Sequence, residues 1–165
     1  MNVAQMRPAR LLSAALLIPA LGGFVFDRAL KWWIVEGLDL KHRLVIEVAP
    51  PYLRLVMAWN EGANFGIGSA LSRDVWIAVA LIISAGLLAW ATTMRDALRL
   101  VSVGLIVGGA LGNALDRVVY GAVADFLNMS CCGIRNPFAF NPADIFIFAG
   151  AFGLILFDGR EKSGE

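Results

Sequence analysis

The chain has 165 residues, a length that favours one domain. Hydrophobic residues make up 59% and charged residues 16%, with mean hydropathy +0.71, which excludes an ordinary soluble domain and indicates an integral membrane protein. The net charge of +1, with no basic run, argues against a nucleic-acid partner, and two adjacent cysteines, Cys131 and Cys132, exclude a disulfide framework.

The amino-terminal stretch carries Arg7 and Arg10 and then LLSAALLIPALGGFVF, the outline of a signal peptide. The apolar run continues to Val35, past weak cleavage signals at Ala14-Ala15 and Ala20-Leu21-Gly22. It therefore reads as a retained first span over about 11–35. Near its far end Asp27, Arg28 and Lys31 form a self-compensating cluster, with Asp27 and Lys31 four apart in the favourable acid-before-base order. The sole histidine, His42, lies between Lys41 and Arg43 and reads as a solvated loop residue rather than a metal ligand or triad member.

An outside β region follows at about 40–68. Arg43-Leu44-Val45-Ile46-Glu47-Val48 and Leu53-Arg54-Leu55-Val56-Met57-Ala58-Trp59, separated by Pro50-Pro51, predict two strands of a small sheet. Asn60-Glu61-Gly62-Ala63-Asn64-Phe65-Gly66-Ile67-Gly68 is a turn-rich apolar loop, able to dip into the membrane surface where protein satisfies its backbone. Trp32, Trp33, Trp59 and Trp76 flank these segments and suit an interfacial aromatic belt.

Three more spans are predicted, over about 75–92, 98–120 and 143–157. Arg7 and Arg10, then Arg95 and Arg99 in the turn between the second and third spans, then Arg160 and Lys162, all fall on one side. The positive-inside rule makes that side cytoplasmic and places both termini there. The third span carries Gly104, Gly108 and Gly112 at intervals of four, a smooth ridge for close helix packing. On its outer end Asn113, Asp116 and Arg117 share one face, with a local Asp116–Arg117 pair expected. The second outside segment, 121–141, reads as a connection holding Asp125, the cysteine pair and Pro137, and the tail 158–165 is polar.

Asp125 and Asp144 differ from the other acids, because neither has a basic residue within one helical turn. Two uncompensated carboxylates near one membrane face suggest a pair sharing a proton. The ionised partner activates water, while the protonated one polarises a carbonyl and then protonates the leaving amine. Each residue also has a simpler reading. Asn141-Pro142-Ala143-Asp144 is a helix-capping pattern, and Asp125 reads equally as a solvated loop carboxylate.

Five motifs in order give the chain a family likeness: Asp27-Arg28-Ala29-Leu30-Lys31, Asn60-Glu61-Gly62-Ala63-Asn64-Phe65, Gly112-Asn113-Ala114-Leu115-Asp116-Arg117, Gly121-Ala122-Val123-Ala124-Asp125-Phe126 and Phe140-Asn141-Pro142-Ala143-Asp144. It resembles the lipoprotein signal peptidases (signal peptidase II) over nearly its whole length. The resemblance implies a multi-pass aspartic peptidase of the bacterial inner membrane, mainly α, with four transmembrane helices and a small extracytoplasmic β-sheet cradle. Its substrates would be diacylglyceryl-modified prolipoproteins drawn from membrane lipid, cut just before the lipidated cysteine. The implied catalytic pair is Asp125 and Asp144, with Asp27, Lys31, Asn60, Gly62, Asn113, Asp116, Arg117 and Asn141 shaping the site or binding substrate. A globomycin-type inhibitor is implied, and no metal or organic cofactor. Arg28, Leu30 and Asn64 depart from the family pattern, as does the segment 128–136 around the cysteines. Two competing readings are a small transporter with Asp116, Asp125 and Asp144 as a proton relay, and a non-catalytic assembly factor using the glycine ridge. The first lacks a polar path to the cytoplasm and the second leaves Asp125 and Asp144 unexplained.

Overall fold

The computed structural model describes residues 3–62, 71–134 and 136–157, with side chains from residue 13 onward. Helix α1, Val3–Trp32, runs into a π-helical turn, Trp33–Gly37, closed by Leu38 N–H donating to the Trp33 carbonyl at 2.8 Å. A single helical turn, α2 (Leu40–Arg43), leads into strands β1 (Val45–Ala49) and β2 (Leu53–Asn60). Two long apolar helices follow, α3 (Arg73–Ala91) and α4 (Ala97–Tyr120), then strand β3 (Val123–Met129) and helix α5 (Pro142–Phe157). Among the described residues three stretches are long and apolar enough to cross a membrane: Ser13–Gly37, Arg73–Ala91 and Ala97–Tyr120. The 16-residue α5 is a shorter apolar helix.

Helix α4 is the hub, packing on α1, α5 and α3. Its glycines explain how. A Cβ on Gly104 would collide with the Leu16 carbonyl and one on Gly108 with the Ala20 carbonyl, so the ridge admits the α1 backbone. Gly109, one residue round the helix, admits the backbone of α5 at Ala143. Gly150 and Gly153 of α5 face Ser102 of α4, so α5 runs antiparallel alongside α4. The outer surfaces of α3 and α5 stay apolar and exposed, at Ile82, Ile83, Phe148, Phe152 and Ile155 among others.

The ends of the helices are set locally. Asp96 caps α4 by accepting the Arg99 N–H at 2.9 Å. Arg99 therefore sits in the first turn of α4, buried and stacked over Trp90, not in the preceding turn as expected. At the other end Gly121 takes φ +86°, a left-handed cap that only glycine adopts without strain. That cap turns the chain directly into β3.

The sheet differs from expectation. It has three antiparallel strands in the order β1-β2-β3, where two were predicted. Arg43 belongs to α2 rather than a strand, since Leu44 N–H donates to the Leu40 carbonyl and closes a helical turn. The third strand comes from the segment read as a connection, and it pairs Ala58 with Asp125 and Asn60 with Val123. After β3 the chain loops out and returns at Phe140. There Leu127 N–H donates to the Phe140 carbonyl (2.8 Å) and Phe140 N–H to the Leu127 carbonyl (3.1 Å), delivering Asn141 and the start of α5 beside β3. The loop beyond Gly62 lies outside the described residues, as does the tail 158–165. Trp32, Trp33 and Trp59 are exposed, as an interfacial belt requires.

Candidate active site

Among the described residues four aspartates are buried where the helices meet the sheet: Asp27 and Asp116, both 0% exposed, and Asp125 and Asp144, both 4%. Their partners divide them into two pairs.

Asp27 and Asp116 form an ion-pair cluster between α1 and α4. Lys31, itself 1% exposed, lies 3.0 Å from Asp27 Oδ2 and 2.6 Å from Asp116 Oδ2. Arg28 contacts Asp27 at 3.4 Å and pairs closely with Asp116. The acid–base pair expected within the first motif is present. The expected Asp116–Arg117 pair is not found among the described residues. Neighbours on a helix point about 100° apart, and Asp116 faces α1 while Arg117 faces elsewhere. Arg117 donates to the Asn113 carbonyl at 3.1 Å and to the Gly62 carbonyl at 2.5 Å, with its guanidinium 6.0 Å from the Trp76 ring.

Asp125 and Asp144 have amide partners instead. Asn60 Nδ2 donates to Asp125 Oδ2 at 3.0 Å, and Asn141 Nδ2 donates to Asp125 Oδ1 at 2.5 Å. The sheet explains the first contact: Asn60 stands opposite Val123, two residues from Asp125 and on the same face. Gly62 N–H donates to Asn60 Oδ1 at 3.0 Å and fixes which end of that amide faces the acid. Among the described residues neither Asp125 nor Asp144 forms an ion pair.

Asp144 caps its own helix. Asp144 N–H donates to Asn141 Oδ1 (3.1 Å) and Asn141 N–H donates to Asp144 Oδ2 (3.2 Å), a reciprocal capping box. The predicted capping pattern is therefore present. It leaves Asp144 Oδ1 available to accept from Asn113 Nδ2 at 3.0 Å. Asn141 thus touches both acids, one through its N–H₂ and the other through its backbone and side-chain oxygen.

The solvated-loop reading of Asp125 is overturned. The residue lies on a strand and is buried, because β3 is covered on both faces. Burial, and after it the nearby Asp144 charge, pushes the Asp125 carboxyl up to about 6, against the pull of the Asn141 and Asn60 hydrogen bonds. Both acids line one cavity of about 520 Å³ with Ala139, Phe140, Ile145, Phe148 and Ala149. Asp144 also borders a cleft of about 230 Å³ with Trp76, Val79, Ala110, Asn113, Arg117 and Ile147. Apolar side chains dominate both, so the acids are the polar centre of a greasy surface.

All ten residues singled out from the sequence lie in this region. Gly62 acts through its backbone: its N–H holds Asn60 and its carbonyl receives Arg117. Sequence reasoning missed Phe140, Ile145, Phe148 and Trp76 as cavity walls; an apolar residue in an apolar chain gives no signal of its own. Of the departures from the family pattern, Arg28 joins the ion-pair cluster, Leu30 packs beside the core of Ile34, Leu40, Leu55 and Phe126, and Asn64 lies outside the described residues. Cys131 and Cys132 are free and exposed in the turn beyond β3. No group of three or more metal-ligating side chains occurs among the described residues.

The sequence model for signal peptidase (SPase) II matches residues 20–158. A lipoprotein signal peptidase of Methylorubrum extorquens is 41% identical over 143 residues, covering 85% of this chain and 82% of that protein. One of Pelagibacter ubique is 37% identical over 149 residues, covering 86% and 87%. Two solved bacterial membrane enzyme structures have similar folds: one at TM-score 0.75 and 26% identity over 90% of this chain and 89% of that one, the other at 0.70 and 29% over 84% and 88%. Matched along most of its length by the family and by relatives of that one description, the chain belongs to the signal peptidase II family of aspartic-type membrane peptidases.

Proposed function

We propose that the chain removes the signal peptide from diacylglyceryl-modified prolipoproteins just before the lipidated cysteine, with Asp125 and Asp144 as the catalytic pair. The observation that carries this reading is that two buried acids line one apolar cavity, are joined through Asn141, and form no ion pair among the described residues. Asp144 sits at the amino terminus of α5, where the helix dipole favours the ionised form. It takes a proton from water as the water oxygen attacks the scissile carbonyl. Asp125 holds the shared proton, hydrogen-bonds the developing oxyanion, and gives that proton to the amine as the C–N bond breaks. The products are the new carboxylic acid of the signal peptide, which keeps the second water proton, and the free amine of the lipidated cysteine; proton exchange between them gives carboxylate and ammonium. One proton remains on the pair for the next turnover.

The apolar walls on either side of Asp144 suit a substrate with acyl chains and a hydrophobic signal segment. We place Asp27, Lys31, Asn60, Asn113, Asp116, Arg117 and Asn141 in the framework that orients the pair, and expect a globomycin-type inhibitor to compete for the cavity. We also read α5 as a fourth span, within one membrane-embedded domain. Its 16 residues measure about 24 Å, short of about 30 Å of hydrocarbon, but its contacts match α4 from Gly109 back to Ser102. Arg95, in the α3–α4 turn, and the basic residues near both termini support a cytoplasmic location for that end, leaving the acids near the outer face.

The test is cleavage of a diacylated prolipoprotein by the purified enzyme, followed by gel shift. Asp125→Asn and Asp144→Asn should each abolish cleavage while the helical content is unchanged. Activity surviving in either variant removes that residue from the mechanism.

A further inference from the structure

The buried ammonium of Lys31 has three protons and three acceptors: Asp27 Oδ2 at 3.0 Å, Asp116 Oδ2 at 2.6 Å and Asn113 Oδ1 at 3.0 Å. Each contact leads to the acid pair. Asp116 Oδ2 accepts the backbone N–H of Ala124 at 3.2 Å, the residue immediately before Asp125. Asp27 Oδ1 accepts the backbone N–H of Ala143 at 3.1 Å, the residue immediately before Asp144. The two scaffold acids therefore hold β3 and the start of α5 at equivalent points, and Lys31, like Arg28, bridges the scaffold acids.

The third contact fixes an orientation. An ammonium only donates, so the Asn113 amide must present its oxygen to Lys31. Its N–H₂ then faces the other way and donates to Asp144 Oδ1 at 3.0 Å. Without the ammonium, the amide is free to turn and set its oxygen against the carboxylate. Arg28 also contacts Asp27 and Asp116, but among the described residues the hydrogen bond to Asn113 Oδ1 comes from Lys31, so Arg28 supplies charge balance without this constraint.

We propose that Lys31 is a positioning residue for the aspartate pair. It cross-braces β3 and α5 through Asp116 and Asp27, and it locks Asn113 so that this amide donates to Asp144. The role rests on the catalytic reading of Asp125 and Asp144 given above. It predicts a defect in turnover rather than in binding, because Lys31 is buried away from the cavity walls and acts on the geometry of the reacting groups.

The experiment is steady-state cleavage of a diacylated prolipoprotein peptide by the full chain in detergent or bilayers, with thermal unfolding of each variant. Lys31→Met should lower kcat about a hundredfold with KM changed less than about threefold, the scale of loss for a misplacement near 1 Å. In the Asn113→Ala background the same substitution should cost at least about fivefold less, since the amide it orients is already gone. If Lys31→Met fails to fold, Lys31→Met with Asp27→Asn restores the charge balance and keeps an oxygen for Ala143 N–H; the loss in kcat should remain. An unchanged kcat, a change confined to KM, or full additivity with Asn113→Ala overturns the proposal. Asp125→Asn and Asp144→Asn run in parallel. Cleavage by either refutes the catalytic reading, whereas their inactivity beside an unaffected Lys31→Met refutes the positioning role alone.

Discussion

Two pairs of buried aspartates share one end of the bundle and differ only in what faces them. Asp27 and Asp116 meet Lys31 and Arg28, so two negative charges are balanced by two positive ones. Asp125 and Asp144 meet the amides of Asn60, Asn113 and Asn141, which donate hydrogen bonds but carry no charge. Burial disfavours the charged form of a carboxylate, and among the described residues the first pair alone is in direct ion-pair contact with bases. The difference separates structure from chemistry. A paired carboxylate is a fixed joint, while an amide-held carboxylate can lose and regain a proton within reach of a substrate.

The sharpest contrast is in activity. Asp125→Asn and Asp144→Asn should each lower cleavage more than about a thousandfold, near the upper range for removing an acid–base group, and neither should lower the unfolding temperature as far as loss of a scaffold acid does. Asp116→Asn should do the reverse in emphasis, lowering stability by about 3–5 kcal/mol through the buried bases it leaves uncompensated. Chemical unfolding in detergent, measured beside the cleavage assay, distinguishes them; equal stability losses in the two pairs would erase the contrast.

A pH series sharpens it further. The Asp125 carboxyl keeps its proton up to about 6 in the folded chain, against an ordinary value of 3.8. Between those values the folded state binds more protons than the unfolded one. Raising the pH through that window therefore weakens folding, by about 3 kcal/mol in all. Asp125→Asn escapes this loss, so wild-type stability should fall relative to the variant from pH 4 to pH 7. Parallel stability curves would show that Asp125 titrates normally. In the free enzyme kcat/KM should likewise decline as pH rises through about 6, when the proton donor is lost.

Smaller effects lie outside the two pairs. Gly108→Val should cost about 1–3 kcal/mol by forcing α1 off the ridge, visible as a lower unfolding temperature. Cys131→Ser with Cys132→Ser, both exposed, should stay within about 0.5 kcal/mol of wild type.

Local patterns in the sequence were the legible ones. The Asn141-Pro142-Ala143-Asp144 cap was readable because its hydrogen bonds span three residues, and the glycine ridge because its spacing follows the helix repeat. The absence of a neighbouring base brought Asp125 and Asp144 forward together and the five-motif likeness added to it, while their spacing alone does not show that they meet. Strand β3 escaped notice because Val123-Ala124-Asp125-Phe126 is buried on both faces, so the alternation that marks a half-exposed strand is missing. The partners of Asp116 escaped for another reason. Its nearest base in sequence is Arg117, yet its salt bridges cross to α1, nearly ninety residues away. No periodicity within α4 encodes which neighbouring helix will supply the counter-ion.

The pairing of Leu127 with Phe140 has a consequence for how this chain tolerates change. It closes the base of the intervening strap, and Asn128 reinforces the closure by donating to the carbonyls of Asn136 and Phe138, both at 2.8 Å. Substitutions in the exposed turn at Cys131 and Cys132 should therefore leave Asp125 on one side and Asn141 on the other in place. The cysteines fall beyond that closure, where Cys131 faces Glu47, Pro50, Pro51 and Arg54 of the β1–β2 hairpin rather than the acids, so chemistry at that thiol is separated from the site by the strand that carries Asp125.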